Sequence, residues 1–126
     1  MNTYILPIHH MYAARIYDGT KRYEIRRRIP RLQPGDRILL YETSPISRVT
    51  GEFTVEKVYH GDPDYMYKRH GGAFGIAWKD YQRYVDGLPL IFAIRVSKPK
   101  VYACSMHLLE FGLHRAPQSF LRLTAK

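Results

Sequence analysis

Gly19-Thr20-Lys21-Arg22-Tyr23-Glu24-Ile25-Arg26 has the form G-x-K-x-x-E-x-R, and the fold is decided by how this stretch is read. Upstream of it, Tyr12, Ala13, Ile16 and Tyr17 fall on one helical stripe between Met11 and Asp18, and Gly19 stands where a left-handed C-cap ends a helix. Downstream the period changes to two. Tyr23 and Ile25 point one way, and Arg22, Glu24, Arg26 and Arg28 point the other. This predicts a half-buried strand over Arg22–Arg28 with a charged outer face, entered through a glycine turn. On such a strand Lys21 can meet a phosphate or a carbonyl. Glu24 can accept hydrogen bonds from a base edge or hold Lys21 and Arg26 in position, and Arg26 offers a planar fork for phosphate.

Working outward, Tyr4 to Ile8 predicts a short buried strand before the helix. Gln33-Pro34-Gly35-Asp36 is a turn, with Pro and Gly where a type II turn uses them, and a strand from Arg37 to Glu42 follows. Gly51 to Tyr59 is β-branched and aromatic enough for another. Asp62-Pro63-Asp64 and Gly71-Gly72 punctuate a loop or short helix containing Tyr65 and Tyr67. Phe74, Trp78, Tyr81 and Val85 recur at helical spacing, which places Trp78 in the core, and Gly87 ends that helix. Leu90–Val96 and Val101–Cys104 read as two further strands, His107–Phe111 as one helical turn, and the remainder as a loop and a final strand. About five or six strands with two helices give an α+β class. Too few helices alternate with strands for a doubly wound sheet. A mixed, mostly antiparallel barrel with flanking helices is expected.

The chain has 126 residues and a formal net charge of +9. That length suits a single domain over residues 1–126, with enough core to fold without a disulfide or metal. A single cysteine, Cys104, permits no internal disulfide and fits a reducing compartment. No stretch approaches the ~18 apolar residues of a membrane span, and the start has no signal-peptide pattern, so a cytoplasmic protein is expected. Residues 15–31 hold seven Lys or Arg against two acids, and residues 95–126 hold six against one. Between them the charge is nearly balanced. If the fold joins the two basic segments they form one positive face suited to polyanions.

The G-x-K-x-x-E-x-R segment resembles the signature of the ASCH domain family, whose fold resembles the PUA domain. Tyr41-Glu42-Thr43-Ser44-Pro45 with Gly51-Glu52-Phe53 resembles that family's second strand pair. Gly75-Ile76 through Tyr84 and Gly87, then Phe92-Ala93-Ile94, resembles its second helix and following strand. Pro117-Gln118-Ser119-Phe120 resembles a C-terminal element of several members. The resemblance covers nearly the whole chain. It implies a PUA-like mixed barrel with a cleft lined by the motif and a role in RNA-linked processes. Some members are amidohydrolases acting on acetylated cytidine, with a lysine in this motif, a threonine three residues on and a glutamate further along. Here Lys21 matches the lysine, and Glu24 stands at the threonine position.

The function expected is a binding module for RNA or a nucleotide, with a basic cleft. Its nucleic-acid contacts are Lys21, Glu24, Arg26 and Arg28 on the motif strand. His9, Tyr41, Thr43 and Ser119 complete the set. The alternative is a small hydrolase acting on a modified nucleoside or on RNA, with Lys21 and Glu24 as catalytic candidates. Tyr65 and Tyr67 are placed to stack a base. No cofactor and no metal is expected: His9-His10, His60, His70 and Cys104-x-x-His107 lack zinc-site spacing. A phosphate loop and a serine triad are also unsupported by any readable pattern.

Overall fold

The computed structural model describes residues 1–124. Its elements run β1 (Thr3–Ile8), α1 (His10–Asp18), β2 (Tyr23–Arg26), β3 (Arg37–Glu42), β4 (Arg48–Gly61), α2 (Pro63–His70), α3 (Trp78–Val85), β5 (Ile91–Met106) and β6 (Leu121–Leu123). Short 3-10 turns follow α2 and β5. The strands form one sheet in the order β2-β5-β4-β3-β1-β6. Among the described residues only β1 and β3 pair in parallel. The α+β class stands.

The expected barrel does not close. Among the described residues β2 pairs only with β5, and β6 only with β1, so both remain edges. Curvature comes instead from the long β4–β5 ribbon, which is interrupted by three register shifts. Each bulge bends the pair and adds twist. One shift explains why Leu90–Val96 and Val101–Cys104 are one strand rather than two. The register passes from Thr54↔Ser97 to Glu52↔Lys100, leaving Lys98 or Pro99 as an extra residue. At such a bulge proline loses no ladder hydrogen bond.

The inner face of the coiled sheet packs Leu6, Ile8, Ile38, Leu40, Phe53 and Ile94 against Ala13 and Ile16 of α1. Gly19 ends α1 at φ 86, as the C-cap reading requires. The outer face carries two separate cores. Tyr23, Ile25, Ile91 and Ala93 lie beneath Met66 of α2 and Tyr81 and Val85 of α3. Ile5, Leu39, Tyr41 and Val49 lie beneath Leu108 and Phe111. Across the open seam, Phe120 sets its ring edge-on to Tyr4, and the Arg26 guanidinium lies 5.7 Å from the Phe120 ring centre.

The stretch left open as a loop or a short helix forms a helix, α2, which Asp62 caps by accepting a hydrogen bond from the Tyr65 N–H at 3.0 Å, with Pro63 in its first turn. Two expectations change with it. Tyr67 therefore sits in an aromatic cluster with Phe74, Trp78 and Tyr81, and of the two tyrosines only Tyr65 is exposed. Trp78 is 44% exposed rather than core: it opens α3 and packs on one side only, against Tyr67 and Tyr81.

The cleft at the open seam

Where the sheet fails to close, a cleft of about 480 Å³ opens between β2 and the β1–α1 junction. The motif strand forms its floor. Tyr23 and Ile25 do alternate with Glu24 and Arg26, but the apolar pair faces the outer core beneath α2 and α3. The charged pair therefore faces inward, to the cleft, and the expected charged outer surface is an inner one. The strand ends at Arg26, so Arg28 lies beyond it.

Lys21 and Glu24 are both buried, at 3% and 5% exposure. The Lys21 Nζ donates to the Phe74 carbonyl at 2.6 Å and stands 3.6 Å from Glu24 Oε1. It also lies 5.3 Å from the centre of the Tyr12 ring. Arg26 Nη1 donates to the other Glu24 oxygen at 3.4 Å. Burial pushes the Lys21 ammonium below its ordinary pKa, and the Glu24 charge partly opposes that shift. The lysine is held from behind by a peptide turn. Gly75 adopts φ +65, a Cβ there would collide with the Lys21 side chain, and the Gly75 carbonyl accepts from Arg15 Nη1 at 2.8 Å. The glycine is needed both for the left-handed backbone and for the close approach.

The remaining walls come from several elements. His9 caps α1, its Nδ1 accepting from the Met11 N–H at 3.0 Å. In its neutral form the proton is then on Nε2. Thr43 follows β3, with its N–H donating to the Ile8 carbonyl. Ile76, Asp80 and Tyr84 line the opposite wall. Burial, reinforced by the Asp80 carboxylate, raises the Tyr12 phenol above its usual pKa and keeps it a hydrogen-bond donor at neutral pH.

Of the residues expected at the site, Lys21, Glu24, Arg26, His9 and Thr43 line this cleft. Arg28 and Ser119 do not; with Arg26, Arg27 and Tyr84 they line an adjoining groove. Tyr41 is buried in the outer-face core with Ile5, Leu39 and Val49. Its neighbour Glu42 takes the inner face, bonded to His10 and Thr50 at 2.6 Å each. Four polar lining residues were not expected: Tyr12, Asp80, Tyr84 and Gln118. Ile76, Asp80 and Tyr84 recur every four residues, a helical stripe beside the one read as core. The cleft itself is not basic. Of the charged side chains that line it, Lys21 and Arg26 are matched by Glu24 and Asp80, while the groove adds Arg27 and Arg28.

Residues 6–100 match the model of the ASCH domain. The chain belongs to the ASCH family. The crystal structure of ASCH from Zymomonas mobilis superposes with a TM-score of 0.90 at 25% identity, over 97% of this chain and 87% of that one. A protein of Pyrococcus furiosus solved by NMR gives 0.53 at 16% identity, over 79% and 99%, a likeness of fold alone. Among curated proteins, an ASCH domain-containing ribonuclease of Zymomonas mobilis is 33% identical over 76 residues, 60% of this chain and 51% of the relative. The large ribosomal subunit protein uL22 of Ureaplasma parvum is 30% identical over 84 residues, 67% of this chain and 27% of the relative. This ASCH chain thus spans about a quarter of the one and half of the other of these two curated relatives. Among its described residues no helix is long and apolar enough to cross a membrane.

Proposed function

We propose that this ASCH domain binds single-stranded RNA at the open seam and cleaves it there. The observation that carries the proposal is the buried Lys21–Glu24 pair, 3.6 Å apart, on the floor of a cleft large enough for a nucleotide. The name of the Zymomonas relative supports RNA as the substrate.

A buried ammonium needs three acceptors. Lys21 donates to the Phe74 carbonyl at 2.6 Å and has Glu24 Oε1 3.6 Å away, which leaves donor capacity for a ligand oxygen. A phosphodiester supplies that oxygen. Burial also makes Lys21 a stronger acid than a surface lysine. In the step proposed, the Glu24 carboxylate takes the proton of the RNA 2′-hydroxyl as that oxygen attacks phosphorus. The bond from phosphorus to the 5′-oxygen breaks, and Lys21 protonates the departing oxygen. The products are a 2′,3′-cyclic phosphate and a 5′-hydroxyl. Glu24 then holds a proton and Lys21 lacks one, and their closeness allows direct return to the starting state. Arg26 stabilises charge on the phosphoryl oxygens. Tyr12 and Tyr84 offer rings to the base.

The 2′-hydroxyl is the nucleophile, so the sugar decides the outcome. Single-stranded RNA should be cut, while DNA of the same sequence should bind comparably and stay intact. Gel analysis of both strands after prolonged incubation tests this. Cleavage of both at equal rates would exclude the 2′-hydroxyl route.

A further inference from the structure

The groove beside the cleft is lined by Arg26, Arg27, Arg28, Tyr84 and Ser119, with a volume of about 390 Å³. It shares Arg26 and Tyr84 with the cleft, so the two adjoin along those side chains. Their charges differ. The cleft lining balances two cations with two carboxylates, whereas the groove lining has three arginines and no acid. Two of those arginines are fixed in place. Arg26 donates to Glu24, and its guanidinium lies over Phe120. Arg27 donates from Nε to the Tyr84 carbonyl at 3.0 Å, and its guanidinium lies 4.4 Å from the centre of the Tyr84 ring. Arg28 is exposed at the far end, with the exposed Ser119 on the facing segment.

From this adjacency we infer that the groove is a second subsite. It takes the phosphate next along a polynucleotide whose reacting nucleotide occupies the cleft, with Arg28 as its main contact. The inference rests on the RNA reading of the cleft and narrows it to the polymer. Successive phosphates of an extended strand are about 6–7 Å apart, a few residue lengths of strand. Arg26 and Arg28, two residues apart, are joined by at most about 7 Å of backbone, a span of the order of that step. A free nucleoside, or a mononucleotide seated in the cleft, leaves the three-arginine groove unfilled. Phosphate contacts of this kind position a strand without reading its sequence.

The test is a ladder of 2′-fluoro ribonucleotides, which lack the attacking hydroxyl: mono-, di- and trinucleotide, titrated into the full chain as wild type and Arg28→Gln. The wild type should gain about tenfold in affinity from mono- to trinucleotide, with a steeper salt dependence for the longer ligand. Arg28→Gln should remove most of that gain, lower the salt slope by about 0.7, and leave mononucleotide affinity within about twofold. No gain with length would overturn the second subsite and leave the cleft reading standing. Equal loss for mono- and trinucleotide in Arg28→Gln would do the same, by placing Arg28 at the reacting nucleotide. Failure of every ligand to bind would overturn both.

Discussion

Lys21→Arg should lower RNA cleavage by about 10³-fold while changing RNA affinity less than about threefold. Arginine keeps the positive charge and the donors that meet a phosphate, so binding survives. It cannot give up a proton at accessible pH, so the leaving 5′-oxygen would have to depart unprotonated. The comparison is made on single-turnover cleavage and on titration with the uncleavable analogue. Circular dichroism controls for fold, because a guanidinium must fit a site where lysine is 3% exposed. Glu24→Gln serves as a second variant of nearly the same volume and should also abolish turnover. Loss of affinity in step with loss of rate in both variants would make the pair a binding element only.

Gly75→Ala is the substitution away from the reacting groups with the largest expected effect. A left-handed backbone at φ +65 disfavours alanine, and the added methyl would overlap Lys21 Cβ. The neighbouring carbonyl of Phe74 holds the lysine Nζ, and the Gly75 carbonyl holds Arg15. Relief by moving this turn therefore moves the lysine. A loss of about 2–4 kcal/mol in stability and at least about tenfold in cleavage is expected. Urea unfolding and the cleavage assay on the same preparation measure both. Gly72→Ala is the control: its Cβ would meet nothing within contact range, and both quantities should stay near wild type. Equal behaviour of the two variants would remove Gly75 as the support of Lys21.

Much of this arrangement was legible in the residues, and the parts that were not share physical causes. Alternation along Tyr23–Arg26 separates the apolar pair from the charged pair but carries no label for which face is covered. Here both faces are covered, and the charged one looks into the cleft. The same ambiguity placed Tyr41 in the site, since Thr43 two residues on does line it; the shift in register between Leu40 and Tyr41 lies between local pattern and final direction. Leu90–Val96 and Val101–Cys104 read as two strands, although proline at a bulge does not interrupt pairing. Only the pairing with β4 reveals the bulge that admits Pro99. Gly75 carries no local sign of its role, which is contact with a residue 54 positions away in the chain, a distance no window spans. By contrast, the helix end at Gly19 followed from its C-cap position, and the cleft position of Lys21, Glu24 and Arg26 from the signature and its resemblance. Barrel closure did not follow, because it depends on whether two edge strands meet.

The most direct test of the Lys21–Glu24 cleft as a ribonuclease site is the chemistry of the product ends. End-labelled single-stranded RNA is incubated with wild-type protein, and the new 3′ ends are identified by mass spectrometry. The expected result is a 2′,3′-cyclic phosphate paired with a 5′-hydroxyl, formed by the wild type and absent with Lys21→Arg at equal occupancy. RNA that binds yet stays intact, or the same products formed at wild-type rate by Lys21→Arg, would contradict it.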